Sequence, residues 1–227
     1  MAESNKAPLI AGMLVVGLLV GGGIGYVSGN SMNKSDDTTV SNAQVSTDTK
    51  AAGLRVVLNN LEAQHVDLAS AATRAGFDGS PMFEASAGAL DENSVALSKA
   101  IGSVYGGEAE AKFLEIWRSH ITFFVNYTVA AKGGDQAGMD KAVSDLNGYV
   151  SAISDLLGGA TGLPKEAVAS LITEHVGLLK SAVDKHAAGD YAGSYAAQHD
   201  AREQITTKIA DTLAGAIVKQ NPDKFTN

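Results

Sequence analysis

The sequence contains no cysteine, which excludes disulfide bonds, thiolate metal sites and cysteine nucleophiles together. Aromatic residues make up only 6% of the chain, so any core must be built mainly from Ala, Leu, Val and Ile. Lys and Arg number 17 against 25 Asp and Glu, and no basic patch appears that would bind phosphates. This acidic balance argues against a nucleic-acid partner. The many small side chains favour close packing between helices.

Patterns typical of catalytic sites are also missing. The sequence has no G-x-S-x-G motif, no phosphate-binding loop and no pair of carboxylates isolated in an apolar context. It therefore gives no support for an enzyme, and we expect a protein that binds a partner or builds a structure.

The N-terminal part carries the longest apolar run. No charged residue occurs over residues 7–33, and residues 7–27 are mostly apolar. A membrane-spanning helix needs about 20 such residues. A cleaved signal peptide is the alternative, with a weak cleavage site near residues 27–29, but the run is long for a signal core. We predict an uncleaved single-pass anchor that contacts the bilayer through residues 7–28. Since so little precedes it, we expect a short cytoplasmic tail and a C-terminal domain outside the cytoplasm.

Glycine recurs at every fourth position within this anchor, at Gly17, Gly21, Gly25 and Gly29. A four-residue step keeps the glycines on one face of a helix, where a second backbone can approach closely. Glycine is also simply frequent in membrane helices. The spacing predicts self-association of the anchor through this face.

The rest of the chain divides into a linker and a helical domain. Residues 29–50 are rich in Ser, Thr, Asn and Asp without periodicity, which predicts a flexible linker. Residues 51–227 show no alternating strand pattern and predict six helices of about 25 residues each. We place Ser80 as N-cap and Pro81 at the first position of the second helix. The other breaks fall at residues 106–107, 133–135, 158–164 and 189–190.

An internal repeat of 55 residues runs through this domain. His65, His120 and His175 are separated by this step, and so are the turn sequences "GDQAG" at Gly134 and "GDYAG" at Gly189. Hydrophobic residues flank each histidine at matching positions. The domain is therefore predicted to contain three copies of one antiparallel helical hairpin. The match is strongest in the first helix and the turn of each copy.

The three repeated histidines are the candidate site. Each lies on the apolar stripe of its helix, so one interpretation is a buried structural residue bonded to a neighbouring helix. The alternative is a zinc or copper site, since imidazole is the commonest metal ligand and bundle interiors host such sites. If the hairpins pack around one axis, His65, His120 and His175 converge; if they stack in a row, each faces its own pocket. His186 and His199 lie outside the repeat and are expected to be solvated or to cap helices.

Two other metal chemistries are disfavoured by the neighbouring residues. Glu62, Trp117 and Ile172 precede the three histidines by three, and we expect no Glu-x-x-His motif of the di-iron type on these helices. Haem is disfavoured because no Cys-x-x-Cys-His motif and no evident axial pair occur. We therefore expect no cofactor, with zinc or copper as the alternative.

Three segments, "LEAQHVDLASAATRAG", "LDENSVALSKAIGSVYG" and "FLEIWRSHITFFVNYT", resemble a repeat in uncharacterised envelope-associated bacterial proteins. In that family the repeat follows an export signal or anchor, and some relatives carry a domain similar to the N-terminal part of copper amine oxidases. The resemblance covers roughly residues 54–220 and implies an envelope location but no activity. Relatives often carry a His-Met pair late in the last helix, where this chain reads "QITTKIADTL". That difference weakens the case for a metal in this chain.

Together these observations predict an all-α protein: a transmembrane helix, a linker and a bundle of three repeated hairpins. The first functional hypothesis is a non-enzymatic binding or scaffold module of the cell envelope. The alternative is a zinc- or copper-binding sensor or carrier domain that uses the repeated histidines.

Overall fold

The computed structural model describes residues 47–226, and within this range the chain forms helices and no strand. The all-α prediction is confirmed for this part. The helices are α1 (Lys50–Asp78), α2 (Phe83–Tyr105), α3 (Gly107–Gly133), α4 (Gln136–Thr161), α5 (Lys165–Ala187), α6 (Tyr191–Gln204) and α7 (Asp211–Gln220). A π-helical segment, Ile205–Ala210, joins α6 to α7, and a 3₁₀ turn, Pro222–Lys224, follows. These elements correspond to the six predicted helices, with the sixth containing the π segment.

The predicted membrane anchor at residues 7–28, with its four spaced glycines, lies outside the described residues. So does the predicted linker up to residue 46. Across residues 47–226, no helix combines the length and the apolar character that crossing a bilayer requires.

The repeated Gly-Asp turns end one helix and begin the next in the same way. Gly134 adopts a left-handed backbone conformation with φ of 66°, and Gly189 does so with φ of 76°. The following aspartates are N-caps: Asp135 accepts a hydrogen bond from the Gly138 amide, and Asp190 accepts one from Gly193. The sequence prediction for these two turns is confirmed.

The first turn of the repeat differs from the prediction. α2 begins at Phe83, and Ser80 and Pro81 lie in the preceding turn rather than at the N-cap and first helical position. The Phe83 amide donates to the Ser80 carbonyl at 3.1 Å, which closes a turn before the helix starts. The Ser80 hydroxyl still accepts from the Met82 amide at 3.2 Å, so it satisfies a backbone donor just before α2 begins.

The three hairpins close around a common axis. α1, α3 and α5, which are the first helices of the three copies, each contact the other two. α2, α4 and α6 pack against their own hairpin partners, and α6 also contacts α1, which closes the ring of helices. The repeated histidines therefore come from the three helices that meet at the centre.

On each central helix the most buried residues form one line along the face towards the axis. The line contains the histidine and the residues seven and three positions before it. In two copies it also contains the residue four positions after the histidine. The members are Leu58, Glu62 and His65 on α1; Phe113, Trp117, His120 and Phe124 on α3; and Val168, Ile172, His175 and Leu179 on α5. The flanking Leu61, Ile116 and Leu171 are only partly buried and pack at the edge of this core. All members of the line are apolar or aromatic except the histidines and Glu62.

Candidate metal centre

The imidazole rings of the three repeated histidines meet on the axis of the bundle. The ring centre of His65 lies 5.4 Å from that of His120 and 6.3 Å from that of His175. The residues are 1%, 3% and 6% exposed in the order His65, His120 and His175. Of the two arrangements that the repeat allowed, the structure has the convergent one. We call these three residues the histidine cluster.

Aromatic rings pack directly against the cluster. The indole of Trp117 lies 4.9 Å from the ring of His65 and 4.7 Å from that of His120, measured between ring centres. Tyr149 of α4 stacks on His120 at 4.6 Å, and Phe113 stacks on Trp117 at 5.2 Å. These contacts exclude bulk water from the cluster.

Most ring nitrogens of the cluster have no hydrogen-bond partner. Both nitrogens of His65 and of His175, and Nδ1 of His120, are buried without one. Gln204 lies near His175, but its amide nitrogen donates to the Leu171 carbonyl at 2.9 Å and its oxygen is unpaired. A buried polar atom that makes no hydrogen bond costs about 1–3 kcal/mol, so such groups in a native core need an explanation. Gln204 on α6 acts on the pKa of His175, but a hydrogen bond to a neighbouring helix, as expected of a structural histidine, is not formed by the ring nitrogens of His65.

Burial sets the protonation state of the cluster. It lowers the pKa of His120 to about 3 and that of His175 to about 4. Burial also lowers the pKa of His65 well below its usual value, and the neighbouring rings of His120 and His175 lower it further. The rings are thus neutral at physiological pH. Neutral imidazole is the form that coordinates metal ions.

Glu62 is a buried member of this site that sequence reasoning passed over. It is 4% exposed, and its Oε2 atom has no hydrogen-bond partner. Burial raises the pKa of Glu62 to about 8. The signal was present in the sequence as a Glu-x-x-His step ending at His65. The expectation that these helices carry no Glu-x-x-His motif is therefore wrong for α1 and holds for the other two copies, which have Trp117 and Ile172 at this position.

Two small cavities flank the cluster. One is lined by aliphatic side chains and by Glu62, Trp117, His120, Tyr149 and His175. Its volume, counted as the space open to the centre of a water molecule, is about 20 Å³. The other, of about 30 Å³ on the same measure, is lined by His65 and His120 and extends to Ser70, Arg74 and Ser194. One water needs at least about 10–15 Å³ on this scale, so each cavity accommodates one or two small species.

The spacing of the rings suits coordination, but their present orientation does not. With Zn–N distances of about 2.0–2.1 Å, two histidine ligands of a tetrahedral ion have ring centres about 5 Å apart. The observed separations of 5.4 and 6.3 Å are close to this value. As the side chains are oriented, however, no group of three or more His, Asp or Glu residues within 47–226 is arranged to hold a metal ion. Binding an ion therefore requires the rings to rotate within the cluster.

The two histidines outside the repeat differ from each other. His199 is exposed, as expected. His186 was expected to be solvated or to cap a helix, and this is wrong: it is 8% exposed, and its Nε2 lies 2.8 Å from Oδ1 of Asp78. The interhelical pairing brings the end of α5 against the end of α1, which sequence reasoning about a single helix does not reveal. Neither histidine joins the histidine cluster.

No protein-family model matches this chain, and neither the curated proteins nor the solved structures provide a match.

Proposed function

We propose that this chain is a membrane-anchored, non-enzymatic module of the cell envelope whose histidine cluster binds one divalent metal ion, Zn²⁺ or Cu²⁺. The observation that supports it most is the convergence of His65, His120 and His175, with neutral rings and unpaired nitrogens, on the axis of the bundle. Three imidazoles from three helices provide the nitrogen ligands that both ions accept.

The environment of the cluster favours a resident ion over a catalytic one. The rings are enclosed by Trp117, Tyr149 and aliphatic side chains, and the adjoining cavities are too small for an organic substrate. A catalytic metal keeps a coordination position open to substrate. A closed site on a helical axis suits an ion that stabilises the bundle or is carried by it.

The binding test uses the full chain in detergent after treatment with a chelator. Zn²⁺ and Cu²⁺ are added separately, and the bound metal is measured after equilibrium dialysis. We expect one ion per chain, a raised melting temperature with the ion, and loss of both effects when His65, His120 or His175 is replaced by Ala. The matched control is His199→Ala, which removes an exposed imidazole and should leave binding unchanged.

A wild-type protein that binds neither ion would contradict the metal proposal. It would leave the scaffold role, in which the cluster only packs the three hairpins together. Equal binding by the three cluster variants and the His199→Ala control would place any bound metal elsewhere on the chain.

The envelope location rests on the apolar run at residues 7–28. Alkaline extraction of cell membranes should leave the chain in the membrane fraction, and protease added to spheroplasts should degrade the C-terminal domain. Self-association is tested by replacing Gly21 and Gly25 with Leu, which should lower the dimer fraction in detergent. Release of the intact chain by alkaline extraction would contradict the anchor.

A further inference from the structure

Glu62 departs from the repeat at a position that faces the axis. It lies three residues before His65 on α1, so both side chains are on the same face of the helix. The corresponding residues in the other two copies are Trp117 and Ile172, and all three positions are almost fully buried. One copy of a repeated core position therefore carries a carboxyl group where the other two carry an indole and an aliphatic chain.

Within residues 47–226 this carboxyl group forms no hydrogen bond or ion pair with another side chain. Oε2 of Glu62 makes no hydrogen bond, and within residues 47–226 no Lys, Arg or His forms an ion pair with it. A carboxylate in an apolar core is strongly unfavourable unless it is paired or coordinates a metal. The structural explanation available to a buried glutamate, a hydrogen bond to an adjacent helix, is thus not used here.

The cavity beside Glu62 limits what the group can bind. Its volume of about 20 Å³ is lined by Glu62, His120 and His175, and the remaining walls are aromatic and aliphatic. A space of this size holds one water or one small ion and excludes organic molecules. The polar side chains that line it are Glu62, His120, His175, Tyr149 and Trp117, and the carboxyl and the two imidazoles among them are metal ligands.

We propose that the Glu62 carboxylate is the fourth ligand of the ion, and that it completes a His₃Glu site with His65, His120 and His175. This inference rests on the proposed function. Neutral imidazoles supply no charge, and Glu62 is the only buried carboxylate among residues 47–226, so it provides the negative charge that offsets the cation. Three nitrogens and one carboxylate oxygen suit a divalent ion such as Zn²⁺, whereas Cu⁺ prefers the softer sulfur ligands of Cys and Met. The site therefore selects a divalent ion over Cu⁺.

The test compares the full chain with its Glu62→Gln variant, which keeps the shape of the side chain and removes the charge. Zn²⁺ affinity is measured by competition with a chromogenic chelator, and Cu⁺ affinity by competition with a Cu⁺-specific chelator. We expect Zn²⁺ affinity to fall by about tenfold or more, with a much smaller change for Cu⁺. Co²⁺ placed in the site should give a visible absorption band that shifts in the variant, because a ligand atom has changed.

Two further variants separate coordination from folding. Glu92→Gln removes an exposed carboxylate on α2 and should bind Zn²⁺ as the wild type does. Glu62→Asp keeps the charge on a shorter side chain and should retain part of the affinity that Glu62→Gln loses. The metal-free Glu62→Gln protein should melt no lower than the metal-free wild type, which excludes unfolding as the cause of the loss.

Each result decides between the two proposals. Equal Zn²⁺ affinities and identical Co²⁺ spectra for wild type and Glu62→Gln would overturn the role of Glu62 and leave a site formed by histidines alone. A wild type that binds no Zn²⁺ would overturn both. Weakened Zn²⁺ binding in Glu62→Gln with unchanged binding in Glu92→Gln would support both.

Discussion

The domain contains two kinds of buried histidine, which differ in whether their ring nitrogens have hydrogen-bond partners. His186, at the end of α5, is 8% exposed and lies 2.8 Å from a carboxylate oxygen of Asp78 on α1. The histidine cluster on the axis is buried to a similar or greater degree, but most of its nitrogens have no partner. The fold can therefore hydrogen-bond a carboxylate to a buried imidazole, and it does so at the end of α5 but not on the axis.

The carboxylates of the two regions show the same contrast. Asp78 is 53% exposed at its side chain, so water solvates the oxygen that His186 does not contact. Glu62 is almost fully buried and unpaired, one helical turn from His65. His186 and Asp78 satisfy each other and need no further group, whereas the carboxyl of Glu62 and most nitrogens of the histidine cluster have no hydrogen-bond partner. This difference is the physical basis on which we propose the axis, and not the periphery, as a binding site.

The largest effect on stability is expected from Trp117→Ala at the axis. The indole is 4% exposed and contacts the rings of His65, His120 and Phe113, so its removal opens a cavity that the three helices cannot readily fill. Buried Trp-to-Ala changes cost about 3–5 kcal/mol of unfolding free energy. Denaturant unfolding of the metal-free protein measures it. The control is Tyr191→Ala, whose ring lies 5.2 Å from His186 but is 59% exposed, and which should change stability far less.

The second largest effect is expected from pH: the unfolding free energy of the metal-free protein should pass through a maximum. The folded pKa of Glu62, about 8, is above its usual value of 4.5, so its contribution is present below pH 4.5 and is lost as pH rises through 8. The pKa values of the cluster, about 3 for His120 and about 4 for His175, are below 6.5, so their contribution is present above pH 6.5 and is lost as pH falls. Below pH 6.5 the stability lost through three histidines exceeds the stability gained through Glu62. The unfolding free energy is therefore highest near pH 6.5.

Glu62→Gln isolates the alkaline side of this optimum. Between pH 6.5 and 8 the wild type should lose about 2 kcal/mol of unfolding free energy. Each pH unit between the unfolded and folded pKa values of one group changes this free energy by about 1.4 kcal/mol. The variant should show no such loss. Denaturant unfolding in chelator at a series of pH values measures both. A parallel decline in the two proteins would assign the pH dependence to groups other than Glu62.

The helices and the repeat could be predicted because their signals are local. The Gly-Asp turns at residues 134–135 and 189–190 require a left-handed glycine followed by a capping carboxylate, and both requirements are visible in the sequence. The spacing of the histidines also identified the three residues that meet. Whether they meet could not be predicted, because stacked and closed arrangements of three hairpins bury the same helix faces.

Two features of the site depend on contacts that no local pattern encodes. The partner of His186 is Asp78, 108 residues away in the sequence, and their contact follows from how α5 packs on α1. The burial of Glu62 follows from the rotation of α1, which turns the position three before His65 towards the axis and leaves Leu61 at the edge. The apolar pattern alone is compatible with a stripe shifted by one residue, and in that register Glu62 is less buried.

A smaller effect is expected from replacing one histidine of each kind in metal-free protein. His186→Leu removes a hydrogen bond to a carboxylate and should cost about 1–2 kcal/mol of unfolding free energy. His65→Leu loses no hydrogen bond and keeps a similar volume, so its cost should stay below about 1 kcal/mol, with either sign. With saturating Zn²⁺ the order should reverse, since only His65→Leu loses the stabilisation by bound ion. The same order with and without Zn²⁺ would contradict the proposed binding site.

The smallest effect is expected from the ion pair beside His120. Arg118 donates to both carboxylate oxygens of Asp91 at 2.7 and 2.8 Å and ties α3 to α2, but both side chains are about half exposed. Exposed pairs of this kind contribute about 0.2–1 kcal/mol, and salt weakens them. Arg118→Met should therefore lower stability by less than about 1 kcal/mol and leave the fluorescence of Trp117, the single tryptophan of the chain, unchanged. A shift in that emission would mean that this surface pair helps to position the axial rings, because Trp117 packs directly on His65 and His120.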